Sequence, residues 1–448
     1  MSNDFIDSEI ILMYDFSMNE IIWKDRWSKD QIRTILFEQS DFFWQRDPGI
    51  QREKLKDVQK ASALPHAVIL SGLRRVGKST LLAQFAHTLG KEAYYYLNFE
   101  DDRFIGFQAQ DANDLYQTLI EIFGERKIFI IDEIQNVDGW EQFVRRFIDL
   151  GFKFYISGSN AALLSRELGT RLTGRHIPIE LFPFSFREFL LFRGETKFKS
   201  QQLSTIQKGR LSAALDTYLR QGGIADALKY PELPILKTLY DDVLFRDIAT
   251  RYGLENVQAL KELGLFLMSN PAGLVSFNKI KEHLRLGSVN TVTNYIEYLE
   301  DSWLLFTTRI YDFSVKRQQV LPKKIYGIDT GLVNAIGFHF SPNTGKLLEN
   351  LIFLELRRQS KEIFYLTTQN GFEIDFYLPE TRTLIQLTQN MSNPATRERE
   401  IRAIQDAVKT VDAQNLLILS EDNEDPIRIG DKEIQIQSIP EWLLQQPV

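Results

Sequence analysis

Gly72, Leu73, Arg74, Arg75, Val76, Gly77, Lys78 and Ser79 follow one another in the spacing G-x-x-x-x-G-K-[ST], and Thr80 comes next. That pattern can cradle a polyphosphate. Its glycines let the backbone approach closely, so that consecutive N–H groups and the start of the following helix point at the phosphates. Lys78 can reach the β- and γ-phosphates, and the Ser79 hydroxyl can ligate magnesium. Downstream, KIFIIDE carries apolar residues into Asp132 and Glu133, and a carboxylate pair at the end of a buried strand is costly without a cation. Asp132 is expected to hold magnesium through water, and Glu133 to polarise the attacking water. Each pattern has a plainer counterpart, a glycine turn before a lysine or two solvated acids. Together they point to an ATP site that uses Mg2+.

Two further groups have weaker support. FKFYISGSN reads as a buried strand beside the acidic one, ending in Ser157, Ser159 and Asn160. A polar tip there can sense a γ-phosphate, or Ser159 and Asn160 can simply cap a helix. RLTGRHIPIELFPFS supplies Arg171 and Arg175. A guanidinium at a γ-phosphate stabilises transition-state charge, so Arg175 is expected to act on nucleotide from its own subunit or the next, with a surface salt bridge as the alternative.

Positioning these groups requires strands that end together. HAVILSG, EAYYYLNFED, KIFIIDE and FKFYISGSN are apolar strand runs alternating with helical patterns such as STLLAQFAHTLG and GWEQFVRRFIDLG. That alternation predicts a parallel sheet covered on both faces. The chain of 448 residues has material for about three domains. It is 44% hydrophobic and 25% charged, which excludes a wholly disordered protein, and it has no Cys and only 5 His, which excludes disulfide frameworks, thiolate zinc sites and cysteine nucleophiles. The net charge of −7 confines any nucleic-acid contact to local patches. No run of 18 apolar residues and no basic leader appear, so a cytoplasmic protein without membrane contact is expected. The expected organisation is an N-terminal helical arm (1–62) that serves packing, a P-loop core (63–195), a helical region (196–255), helices and strands in winged-helix order (256–326) and a further α/β domain (327–448).

GLRRVGKSTLL, IIDEIQNVDGW, ISGSNAALLSREL, LTGR and PFSFREFL resemble, in that order, the prokaryotic AAA+ ATPases that carry a C-terminal domain of unknown function. YLRQGGIADAL, with Gly222 and Gly223, is similar to that family's helical-lid motif, and the likeness covers roughly residues 60–410. The resemblance implies an α/β architecture: a P-loop AAA+ ATPase core with a helical lid, a winged-helix domain, and a C-terminal α/β domain related to PD-(D/E)xK restriction-type nucleases. It also implies ATP and magnesium binding by Gly72–Thr80 and Asp132.

Nuclease chemistry needs carboxylates converging on magnesium and a lysine to position water. Glu349 and Asp375 match the first two elements, but Gln386-Leu387-Thr388 stands where acid-x-lysine should be. A degenerate domain that does not cut DNA is therefore expected, with Glu349 and Asp375 as surface acids; Arg397 or Arg399 is a poor substitute for the lysine. The expected recognition helix SVNTVTNYIEYLED has no Lys or Arg, although Ser288, Asn290, Thr291, Thr293 and Asn294 can contact phosphates or bases and Lys316, Arg317, Lys323 and Lys324 flank the wing. The leading expectation is ATP hydrolysis coupled to movement of the winged-helix and nuclease-like domains. The alternatives are a nucleotide-gated DNA-binding regulator with slow hydrolysis and, behind it, an ATP-dependent nuclease. Partners beyond ATP are DNA through the winged helix, further copies of the chain, or a protein client.

Overall fold

The computed structural model describes residues 28–159, 172, 174–195, 203–254, 256–338 and 344–446. Asn160 and Arg171 lie outside the described residues.

The chain enters through α1 (Lys29–Gln45), started by Ser28 in a capping box with Gln31, and α2 (Leu55–Ala61). A five-stranded parallel sheet follows, built from β1 (Ala67–Ser71), β2 (Tyr94–Asn98), β3 (Ile128–Asp132), β4 (Lys153–Gly158) and β5 (His176–Glu180) in the spatial order β2-β3-β4-β1-β5. Every residue of β1 is buried, because α/β connections cover both faces and leave no side for polar alternation. In this order β4 lies between β1, which leads into the glycine loop, and β3, which carries the acids. Among the connections, α3 (Lys78–Leu89) directly follows the loop and stops at Gly90 with φ +91°. α4 (Ala112–Phe123) and α5 (Trp140–Asp149) lead to β3 and β4.

Beyond β5, α6 (Phe186–Phe192) and α7 (Thr205–Gln221) pack against the core. α7 ends at Gly222–Gly223, where the backbone is too close to its neighbours for a side chain. A Cβ on Gly223 would lie 2.4 Å from the Phe184 carbonyl oxygen, and one on Gly222 2.0 Å from Asp329 Oδ1. After α8 (Ala225–Lys229) and α9 (Ile235–Asp242), the residues Val243–Ala249 form a π-helical stretch.

The segment expected in winged-helix order contains α10 (Val257–Met268), β6 (Gly273–Val275), α11 (Phe277–His283), α12 (Val289–Asp301), β7 (Leu305–Ile310), α13 (Val315–Val320) and β8 (Lys323–Gly327). Strands β6, β8 and β7 pair antiparallel. After α14 (Thr330–Ile336) and α15 (Thr344–Arg357), strands β9 (Phe364–Thr367), β10 (Glu373–Leu378) and β11 (Thr383–Leu387) precede α16 (Pro394–Ala407), β12 (Asn415–Ser420), β13 (Glu424–Ile429), β14 (Lys432–Ser438) and α17 (Ile439–Gln445). β7 also pairs parallel with β9, Arg309 opposite Phe364 and Ile310 opposite Tyr365. One sheet of nine strands, β13-β14-β12-β11-β10-β9-β7-β8-β6, thus runs across the expected boundary at 326/327. The halves of the molecule are joined by half-buried ion pairs: Arg357 to Glu180 at 2.6 Å, and Arg187 to Glu355 at 3.5 Å. Among the described residues no helix is long and apolar enough to cross a membrane.

Candidate functional site

The glycine loop lies between the end of β1 and the start of α3, with its shape set by close approach. A Cβ on Gly72 would meet the Leu181 carbonyl oxygen at 2.2 Å, because Leu181 N–H bonds Ser71 O at 2.8 Å as the chain leaves β5. Gly77 has φ +96°, and Arg75 holds the left-handed region at φ +62°. Lys78 opens α3 and is 5% exposed, its Nζ donating to the carbonyls of Gly72 (3.0 Å) and Leu73 (3.1 Å). Burial pulls its pKa below the ordinary lysine value, opposed by Glu133 and Asp132.

Asp132 ends β3 at 3% exposure. Its Oδ1 accepts from the Ser157 hydroxyl on β4 and its Oδ2 from Tyr96 Oη on β2 at 2.9 Å, while Ser79 also donates to the carboxylate. Burial raises the Asp132 pKa, with these hydroxyls working against the rise. Glu133 follows with φ +52° and ψ +47°, a left-handed backbone rare for a side-chain-bearing residue, and strain of this kind is found at functional positions. Its N–H reaches Ser157 Oγ at 3.4 Å, and its carboxylate accepts from Gln135 Nε2. Ser159 is buried at the end of β4.

The fold therefore brings Lys78, Ser79, Asp132, Glu133 and Ser157 to the carboxyl ends of three neighbouring strands, where ligands bind in open α/β sheets. Arg175 is not among them. It directly precedes β5, its carbonyl accepting from Ala67 N–H at the start of β1, and its guanidinium pairs with Asp149. A five-residue strand spans about 16 Å, so within one chain Arg175 sits at the far end of the sheet from Lys78. Only the between-subunit arm of the expectation keeps its geometry.

Several participants left no motif. The loop arginines reach outward, Arg74 to Glu100 (2.6 Å) and Asp247 (3.6 Å) and Arg75 to Asp242 (3.7 Å). Asp242 ends α9 and Asp247 lies in the π-helical stretch, so the loop is tied by charge to the helical region. Ser71, just before the loop, accepts from Trp303 Nε1 at 3.1 Å. The N-terminal arm, expected to serve packing, does more. A cavity of about 110 Å³ is lined by Ser79, Asp132 and Glu133 together with Phe42, Phe43 and Arg46 of the arm.

The residues fit a nucleoside triphosphate with magnesium. The glycine at 72 lets the loop lie directly against the Leu181 backbone, a buried ammonium points at the loop's own carbonyls, and the Ser79 hydroxyl donates to the Asp132 carboxylate.

A second cluster corrects the reading of the C-terminal half. Glu349 on α15 and Asp375 on β10 are not surface acids; each side chain is 13% exposed. Lys324 does not flank a wing where it could grip a backbone. It is 1% exposed, and its Nζ lies 2.7 Å from Glu349, 2.7 Å from Glu373 and 3.5 Å from Asp375. Lys324 reaches Glu349 and Asp375 from β8, because β8 is continuous with the later sheet. Gln386 stays a neutral amide, donating to Glu400 at 2.8 Å. Arg397 pairs with Glu424 and Arg399 with Glu400. Among the described residues no group of three or more Asp, Glu, His or Cys could hold a metal ion.

Comparison with known proteins agrees with this geometry. Residues 65–190 match the family model described as an AAA domain, and residues 212–343 match a domain of unknown function, DUF8612, which spans the expected boundaries at 255/256 and 326/327. The chain is 35% identical over 391 residues to the uncharacterized protein MJ1544 of Methanocaldococcus jannaschii, covering 84% of this chain and 87% of that one. It is 33% identical over 355 residues to an uncharacterized protein of Haemophilus influenzae, covering 72% and 86%. Among solved structures it is similar to a Walker-type ATPase of Pyrococcus abyssi, at 14% identity and a TM-score of 0.40, covering 66% of this chain and 99% of that one. The 35% identity over most of both chains places this protein in one family with MJ1544, and its residues 65–190 match an AAA domain and carry a P-loop.

Proposed function

We propose that the protein binds ATP with magnesium and hydrolyses it to ADP and phosphate, coupling nucleotide state to the helical and C-terminal regions. The convergence of Lys78, Ser79 and Asp132 at the ends of β1 and β3 carries the reading. The backbone N–H groups of Gly72–Thr80 and the Lys78 ammonium bind the phosphates. Ser79 and Asp132 hold magnesium, which neutralises charge on the β- and γ-phosphates. Glu133, beyond the metal-holding acid, takes the proton of the attacking water. Ser157 and Tyr96 hold the Asp132 carboxylate in orientation, and Gln135 holds that of Glu133.

Coupling follows from the loop arginines. A triphosphate against the loop competes with Asp242 and Asp247 for Arg75 and Arg74, and so biases the π-helical stretch. A nucleic-acid role finds less support: α12 carries no basic residue, Lys324 is buried, and Ser288 is engaged as the cap of α12, accepting from Thr291 N–H at 3.1 Å. Phosphate release by the purified chain, compared with Lys78→Ala, tests the proposal. Equal release by both contradicts it.

A further inference from the structure

Arg46 caps the C-terminal end of α1, its N–H bonding Phe43 O at 3.3 Å. One turn back, the Phe43 ring stacks on Tyr96 with centroids 3.8 Å apart and planes at 10°, which fixes the end of α1 on β2. Tyr96 in turn donates to Asp132 at 2.9 Å. Arg46 is half-buried and lines the same cavity as Ser79, Asp132 and Glu133. Nearby acids are otherwise engaged: Asp41 with Lys91 and Gln45, Asp47 with the Gly49 N–H. Among the described residues no hydrogen-bond or ion-pair partner is present for its guanidinium. A cation with no partner among the described residues, in a cavity also lined by Asp132, Glu133, the Ser79 hydroxyl and Glu100, which pairs with Arg74, suits a ligand that brings more negative charge.

We propose that Arg46 is a catalytic residue that meets the γ-phosphate of ATP from within the same chain. The inference rests on the ATPase reading. Water attacks the γ-phosphorus, the bond to the β,γ-bridging oxygen breaks, Glu133 takes the proton, and ADP and inorganic phosphate leave. Arg46 gains and loses no proton. Its planar charge faces the equatorial oxygens, where negative charge spreads as the phosphoryl group transfers. Arg175, paired with Asp149 at the other end of the sheet, does not compete for this place within one chain.

The test uses the full chain and three readouts: ATP affinity by calorimetry, phosphate release, and capture of ADP by magnesium and aluminium fluoride. Arg46→Ala should bind ATP within a few-fold of the parent, lose on the order of 10³-fold in turnover, and fail to capture ADP with aluminium fluoride. Arg46→Lys keeps a charge without the planar fork and should recover part of the turnover. Parental turnover in Arg46→Ala overturns the proposal. So does a turnover loss matched by an equal loss of ATP affinity and a lowered melting temperature, which would mark Arg46 as packing. Failure of the underlying reading looks different: the parent chain itself then binds no ATP, and both readings fall together.

Discussion

Replacing Lys324 by Met keeps the length of the side chain and removes an ammonium that lies among three carboxylates. Two of them, Glu349 and Asp375, have side chains 13% exposed, and Glu373 is 41% exposed. Removing one partner of a buried ion pair costs about 3–5 kcal/mol, because an uncompensated charge is left behind. The exposed pair with Glu373 adds at most about 1 kcal/mol. The variant is therefore expected to lose about 3–5 kcal/mol at pH 8. The loss depends on pH in a definite direction. Burial and the neighbouring Asp375 already raise the Glu349 pKa to about 7 with Lys324 in place, and without the ammonium it rises further. A carboxyl whose folded pKa is raised gives its stability below the unfolded value and loses it as pH climbs through the folded one. At pH 5 Glu349 holds a proton, and the deficit should shrink. Urea unfolding of the parent and of Lys324→Met at both pH values measures this. A deficit under about 1 kcal/mol at pH 8, or the same deficit at pH 5 and pH 8, refutes the reasoning.

Two further outcomes are expected. Glu349→Gln stays neutral throughout, so its unfolding midpoint should vary less with pH than the parent's between about 4.5 and 7, where Glu349 ionises in the unfolded chain before the folded one; parallel profiles contradict the assignment. Gly223→Ala pushes a methyl to 2.4 Å from the Phe184 carbonyl oxygen and should cost on the order of 1–3 kcal/mol in urea unfolding, with Gly209→Ala, which meets nothing within 4 Å, as the near-neutral control.

The nucleotide core is legible in the sequence because its parts are local. The loop, its flanking strand and the following helix occupy one stretch, and KIFIIDE announces its acids by ending an apolar run. What assembles across the chain leaves no such mark. Lys324 reads as one basic residue among four near a wing, and only the pairing of β7 with β9 reveals that its strand belongs beside Glu349 and Asp375. Arg46 has the same difficulty: its helix precedes the core by sequence, and the stack of Phe43 on Tyr96, which brings it to the acids, joins residues far apart in the chain. Arg175 shows the converse. The motif LTGR drew attention to it, but the register of β5 against β1 carries it to the other end of the sheet. Gly222 and Gly223 stood out by resemblance, and their physical reason, the backbone of Phe184 and the carboxylate of Asp329 pressed against them, is tertiary.

The central claim is that Lys78 and Glu133 serve one ATP-hydrolysing site, the first holding the ground state and the second acting mainly in the transition state. Titration of ATP with magnesium into the parent, Lys78→Ala and Glu133→Gln, followed by phosphate release from each, separates the two roles. Lys78→Ala should lose tight ATP binding, and Glu133→Gln should bind as the parent does while releasing phosphate far more slowly. Glu133→Gln hydrolysing at the parental rate, or Lys78→Ala binding ATP as tightly as the parent, would contradict the account.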